Sequence, residues 1–395
     1  MSSQTSRHQS SVKTHGLRFL TQISSSSNSN PSTSNLQIND PSGPLTPDSV
    51  VYVNPFVATN NQSLLPNVRI IGQYELSETK LDDFKCARHI ITNEIYLYKE
   101  YPLDILRQRL EPYQRLTKIL LSTIKNKHLI KSMTIEQLAA KYHLHFFFDI
   151  LSLEQTAIVL YPNYTNNLHT YITEKHRLNE YETKNLFTQI VHAVQMCHQV
   201  GLIIRDLKLR KIIFNNNEHS NLLLTGLDEA IMLTNPTTTN DFVSSRFSCP
   251  VYACPEIVLN RQMYSGKFAD SWSLGIILYT MLFGRYPFCD RTLVGLFIKI
   301  GRCRPDIPRT ISIKARSLLR SLIRVKPDER LLPQDILGHV WFNNTDRDIS
   351  MNTSLINDES LLFNNTSSSN NNNCTNNSNE STIIEDAVVP NFECE

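Results

Sequence analysis

Gly201-Leu202-Ile203-Ile204-Arg205-Asp206-Leu207-Lys208-Leu209-Arg210-Lys211 is the stretch on which the reading of this chain turns. Upstream, Leu186, Ile190, Ala193, Val194 and Cys197 recur at helical spacing, and Gly201 suits the end of that helix. Downstream, Ile212-Ile213-Phe214 reads as a short strand. A helix therefore runs into a loop that carries one aspartate among basic residues, and a strand runs out of it. The question the sequence poses is whether that loop does chemistry.

The chain has 395 residues, room for one large domain or two ordinary ones with tails. With 41% apolar and 19% charged residues it can bury a core, and a net charge of +2 gives no reason to expect nucleic acid or an anionic membrane as a partner. The cysteines are scattered and form no C-x-x-C pair; Cys249 and Cys254 come nearest, without paired metal-ligand spacing. No basic, then apolar, leader is visible at the N-terminus, and no window holds the ~20 apolar residues of a membrane span. Reduced thiols in an intracellular protein, cytoplasmic or nuclear, are expected.

Composition divides the chain. Residues 1–66 are rich in Ser, Thr, Asn and Pro and read as a disordered low-complexity region. From there the pattern becomes globular. Val68–Leu76, Phe84–Ile91, Glu94–Lys99, His145–Leu151 and Thr156–Tyr161 read as strands. A helix is expected from about Leu103 to Thr123, interrupted at Pro112. The remainder is mostly helical. The stretch opening at Asp270 and closing at Gly284 is apolar nearly all round, which suits a helix inside a large domain. Residues 343–382 read as an Asn/Ser-rich disordered spacer, and 383–395 as a linear motif that regains apolar character. The expected fold is α+β, with a small, mainly β N-lobe and a larger helical C-lobe over residues 67–342.

The order of motifs resembles a protein kinase domain. Lys99 ends a strand as the phosphate-pairing lysine does; Arg205-Asp206-Leu207-Lys208 follows; Cys254-Pro255-Glu256 looks like the Ala-Pro-Glu element; Asp270 opens the central helix; and Arg330 falls where the partner of that glutamate belongs. Phosphoryl transfer is mostly positioning and charge neutralisation, and three parts that supply it look damaged. The turn Ser77–Asp83 holds no glycine, so its backbone cannot approach phosphates closely, and its carboxylates would repel them. Gly226-Leu227-Asp228 aligns with the metal-binding triplet, which removes the metal carboxylate unless a shifted register supplies Asp228 or Glu229. Ile204 stands for the usual histidine, and Lys211 for the asparagine that faces a metal, although magnesium wants oxygen ligands. Glu111 or Gln108 is the candidate ion-pair partner for Lys99.

Those departures, with Cys249–Glu256, Tyr264–Asp270 and Met281–Phe288, resemble the Tribbles family of pseudokinases. The resemblance implies an adaptor and not an enzyme. No cofactor is required by it, with weak ATP binding through Lys99 and without magnesium as the remaining nucleotide role; Asp206 and Lys208 stay as retained kinase-like positions. It implies that Glu385, Asp386, Val389, Pro390 and Phe392 dock a ubiquitin ligase of the constitutive-photomorphogenic type. A transcription factor of the CCAAT/enhancer-binding type is the implied substrate. MAP kinase kinases are further implied partners, with His339, Trp341 and Phe342 as contact candidates, against a core role for Trp341. The alternative reading is a residual, weakly active or metal-independent Ser/Thr kinase built on Lys99 and Asp206. His192 and His198, six apart on one helix, lack the spacing of a metal pair and read as packed or partly exposed residues.

Overall fold

The computed structural model describes residues 50–52, 69–123, 134–233, 241–244, 249–259 and 263–343. The tail positions Glu385, Asp386, Val389, Pro390 and Phe392 lie outside the described residues. The N-terminal lobe is one antiparallel sheet of β1 (Val50–Tyr52), β2 (Arg69–Ile71), β3 (Tyr74–Leu81), β4 (Phe84–His89), β5 (Ile95–Pro102), β6 (Asp149–Ser152) and β7 (Thr156–Pro162), in the order β1-β2-β3-β4-β5-β7-β6. Strand β1 falls inside the segment read as low complexity, yet Val50–Tyr52 pairs with Arg69–Ile71. The single strand expected over Val68–Leu76 is broken at Gly72-Gln73 into β2 and β3, which pair with each other.

Helix α1 (Leu103–Thr123) packs under this sheet and runs uninterrupted through Pro112. A proline costs the hydrogen bond to the preceding turn. Here the packing of Leu110, Tyr113, Leu116 and Leu120, all buried along one face, outweighs that loss, at roughly 2 kcal/mol for each large side chain removed from water. Helix α2 (Ile135–Ala140) starts at a capping box, with Thr134 and Gln137 satisfying each other's backbone N–H.

The C-terminal lobe begins with the two-residue strand β8 (Asn166–Asn167), then α3 (Leu168–Lys175), α4 (Glu180–Gln199), β9 (Leu202–Ile203), β10 (Ile212–Phe214), β11 (Leu222–Leu224), β12 (Ile231–Met232) and β13 (Phe242–Val243). It continues with α5 (Pro255–Val258), β14 (Tyr264–Ser265), α6 (Gly266–Phe283), α7 (Leu293–Arg302), α8 (Ile313–Leu322) and α9 (Pro333–Ile336). Asn167, Asn179, Ser265, Thr292 and Ser312 cap α3, α4, α6, α7 and α8 respectively.

Helix α6 is the axis of this lobe. Every residue from Ala269 to Leu282 is buried, as its all-round apolar sequence requires. It ends at Gly284, whose φ of +65° suits glycine. A Cβ there would sit 1.5 Å from the carbonyl oxygen of His176, so only glycine fits. Behind α6, Arg330 forms a two-pronged pair with Glu256, Nη1 to Oε1 at 2.7 Å and Nη2 to Oε2 at 2.6 Å, both side chains buried. Arg330 also donates to the carbonyls of Arg324, Phe268 and Val325. A buried charge pair is tolerable when its remaining polar atoms are satisfied in this way.

Trp341 closes the fold. It is buried against Phe187 (ring centroids 6.5 Å apart), and its indole N–H donates to Glu180 at 2.9 Å. Of the three expected contact residues, Trp341 is therefore core, while His339 and Phe342 are half-buried beside it.

Candidate functional site

The loop between β9 and β10 is set by Asp270, one turn into α6. Its buried carboxylate accepts from the backbone N–H groups of Ile204 and Arg205, both at 2.9 Å, and His198 Nε2 lies 2.8 Å away. Arg205 takes a positive φ of 65°, which the two bonds to Asp270 hold in place. Asp206 is thereby turned inward, 8% exposed.

Asp206 does not face an open site. Its Oδ2 lies 2.7 Å from Lys211 Nζ and 3.0 Å from Lys208 Nζ. Lys211 is 2% exposed and reaches across to Glu229 as well. Burial alone would push the Lys211 ammonium toward neutrality, but the two carboxylates outweigh it and its pKa is held above the ordinary lysine value. Opposite stands Gly226, in the left-handed region at φ +78°. A Cβ added there would meet Lys211 Cδ and Cε at 3.0 Å and Nζ at 3.1 Å. Lys211 thus fills the space that an acidic side chain at position 226 would need. The two departures seen in the sequence meet in space, the Lys211 side chain standing directly against Gly226.

Lys99 has a different partner from either one expected. Its Nζ lies 3.0 Å from Asp228 Oδ2 and 4.9 Å from the centroid of the Phe84 ring. Gln108 is exposed, and Glu111 pairs with Arg115 at 3.6 Å, one turn along its own helix. Helix α1 turns Tyr113 and Arg109 toward the site and offers Lys99 no carboxylate. Asp228 is buried, and it also accepts from the hydroxyls of Tyr101 (2.6 Å) and Tyr113 (3.4 Å). Desolvation opposes its charge, yet Lys99 and the Tyr101 hydroxyl hold its pKa below the ordinary aspartate value. Arg109 donates to the Asp228 carbonyl and Arg115 to that of Leu233, which ties α1 to the segment after the triplet through backbone groups.

The roof of the cleft is also filled. Strand β3 runs on to Leu81, so the expected turn over Ser77–Asp83 contracts to Asp82-Asp83, and Glu78 pairs with Lys85 at 2.7 Å. Phe84, 2% exposed, packs edge-on against Tyr161 (5.1 Å between centroids) and near His145 and Tyr164. His145 is buried between the Pro162 carbonyl (2.9 Å) and Thr225 Oγ1 (3.4 Å), and burial pulls its pKa down to about 4.

A magnesium–nucleotide group of the kind the fold implies does not fit these residues. The centre presents an ammonium where a divalent cation would need oxygen ligands, and both carboxylates that a shifted register could supply are taken, Asp228 by Lys99 and Glu229 by Lys211. Among the described residues no cluster of three or more His, Cys, Asp or Glu could hold a metal ion. Lys99, Asp206, Lys208, Lys211 and Gly226, each marked by its place in the sequence motifs, all line this centre. Tyr101, Tyr113, Phe84 and His145 gave no such signal: the first three are single aromatics among charged and polar neighbours, and His145 opens an apolar run, so nothing local marks them as facing one site. Among the described residues, no helix is long and apolar enough to cross a membrane.

Two lobes about a cleft, with Lys99 above it and the Asp206 loop below, define the protein kinase class, and the protein kinase domain family matches residues 84–342. Within that class the chain is 43% identical over 213 residues to Tribbles homolog 2 of Mus musculus (54% of this chain, 61% of that protein). It is 42% identical over 206 residues to Tribbles homolog 1 of Homo sapiens (52% of this chain, 55% of that protein). It is 35% identical over 299 residues to Tribbles homolog 3 of Homo sapiens (75% of this chain, 76% of that protein). The chain belongs to the Tribbles family. Its match spans 61% of the length of the Tribbles homolog 2 proteins.

Proposed function

We propose that this chain is a catalytically silent kinase fold that works as an adaptor. The observation that carries the proposal is the Lys211 ammonium, buried between Asp206 and Glu229 in the space opposite Gly226. A general base must be free to accept a proton in the reacting complex; here Asp206 is engaged by two lysines. The C-lobe holds a degron-bearing substrate, a transcription factor of the CCAAT/enhancer-binding type. The tail, through Glu385, Asp386, Val389, Pro390 and Phe392, hooks a ubiquitin ligase of the constitutive-photomorphogenic type. Joining both on one chain raises the effective concentration of one partner for the other. MAP kinase kinases are a second partner class, contacted through the half-buried His339 and Phe342 and not through Trp341. The setting is intracellular, cytoplasmic or nuclear, with no nucleic-acid or membrane partner, and no cofactor is required.

The test is deletion of residues 383–395. Ligase co-purification should be lost while thermal stability of the kinase-fold region is unchanged; a ligase that stays bound sinks the tail assignment. The competing reading, a residual metal-independent kinase, rests on Lys99, Asp206 and Lys208 all being present. It predicts phosphate transfer from ATP that disappears in Asp206→Asn, and such turnover would overturn the adaptor-only reading.

A further inference from the structure

The β3–β4 turn does more than close the sheet edge. Asp82 takes a positive φ of 52°, a conformation that aspartate adopts more readily than most side chains. From that position its carboxylate crosses to the C-terminal lobe. It accepts from the Tyr164 hydroxyl at 2.6 Å and from Asn167 Nδ2 at 3.1 Å and 2.9 Å, one contact to each oxygen. The Arg210 guanidinium lies 3.7 Å away. Asn167 cannot swing aside freely, because its Oδ1 caps α3 by accepting from the Thr170 N–H at 2.9 Å. The aim of its Nδ2 is therefore fixed by the helix start. These three groups come from the chain segment after β7, the cap of α3 and the β9–β10 loop, and each presents a donor to the same point.

Two residues along the same turn, the Phe84 ring fills the space beneath Lys99 and against Tyr161. One turn thus delivers an anion to a ring of donors and an aromatic ring to an aromatic-lined slot. We propose that Tyr164, Asn167 and Arg210 form an anion-binding cradle occupied by the chain's own Asp82, and that a phosphate-bearing ligand competes with Asp82 and opens the β3–β4 turn.

Phosphate is the ligand class because a planar guanidinium, a fixed amide N–H and a hydroxyl are donors suited to an oxyanion with several acceptor oxygens. Asp82, tethered beside the cradle, acts at an effective concentration of about 1 mM or more. An external anion of equal affinity must exceed that to displace Asp82 from the wild-type chain, so the cradle is masked and not absent. The Lys211 centre described above plays no part, and the cradle stands or falls independently of adaptor function.

The experiment measures binding of inorganic pyrophosphate and of ADP, each in EDTA, to the full chain and to Asp82→Ala by isothermal titration. Hydrogen exchange at residues 81–89 is followed in parallel. Asp82→Ala should bind pyrophosphate at least tenfold more tightly than wild type, and exchange at the turn should quicken. Equal gains for pyrophosphate and ADP mean that the cradle reads phosphate alone; a further gain for ADP means that the slot under Lys99 adds to it. The double variant Asp82→Ala/Arg210→Ala should lose the gain. Asp82→Asn keeps the side-chain shape and removes the charge; it should show the same direction of change, which guards against a misfolded alanine variant. If neither ligand binds the two Asp82 variants more tightly than wild type, or if Arg210→Ala leaves the gain intact, the cradle is refuted.

Discussion

Removing the Lys211 ammonium is the most informative single perturbation of the centre. In Lys211→Met the stem is kept and the charge goes. Asp206 and Glu229 then face each other across the space that Nζ occupied, with Gly226 giving no side chain to fill it. Breaking a buried ion pair by deleting one partner costs about 3–5 kcal/mol. Two features lower that figure: Asp206 retains Lys208 at 3.0 Å, and the Glu229 side chain is 34% exposed and can turn to water. A loss of roughly 2–3 kcal/mol remains, which at about 2–4 °C per kcal/mol for a domain of this size lowers Tm by roughly 5–10 °C. The assay is urea unfolding with an unchanged m-value, so that the shift in midpoint reports stability alone. The double variant Lys211→Met/Glu229→Gln should recover part of the loss, since it removes one of the two stranded carboxylates. A Lys211→Met chain as stable as wild type would mean that the ammonium does not hold this centre together.

Other outcomes follow from the same geometry. The folded-state pKa of His145 is about 4 against about 6.5 unfolded, so its contribution is complete above pH 6.5 and is lost as pH falls through 4. Stability should fall over that window by at most about 3 kcal/mol on account of this residue, and His145→Gln should flatten the slope. Asp228, also held below its ordinary value, adds to the loss in acid in the same direction, whereas Lys211, held above its own, keeps its contribution until strongly alkaline pH. Arg330→Ala should cost about 3–5 kcal/mol by stranding the buried Glu256, measured by denaturant midpoint, while Glu256→Gln/Arg330→Met should cost less than the sum of its single changes.

The C-lobe frame was legible in the sequence because its markers are chemically self-contained. Glu256 set against Arg330 reads the same way before and after folding, whereas the central helix expected to open at Asp270 begins one turn earlier, at Gly266, where Ser265 caps it. The interior of the site was less legible. The partner of Lys99 lies 129 residues away in Asp228, and no local pattern announces a pair at that separation. On α1, where Glu111 or Gln108 was expected to serve, Gln108 is exposed and Glu111 sits one helical turn from Arg115 and pairs with it instead. Pro112 read as an interruption because propensity is a local quantity, while the continuity of α1 is decided by the face it buries. Phe84 read only as the start of a strand; its place in the cleft depends on a turn of two residues, shorter than the one expected.

The most direct test of a metal-free centre is titration of the wild-type chain with ADP, with and without magnesium, by isothermal calorimetry. If Lys211 holds the cation position, magnesium should leave the affinity for ADP unchanged, and the pair exchange Lys211→Asn/Gly226→Asp should make affinity magnesium-dependent. A tenfold or greater tightening by magnesium in the wild-type chain would contradict the assignment of Lys211 to that position.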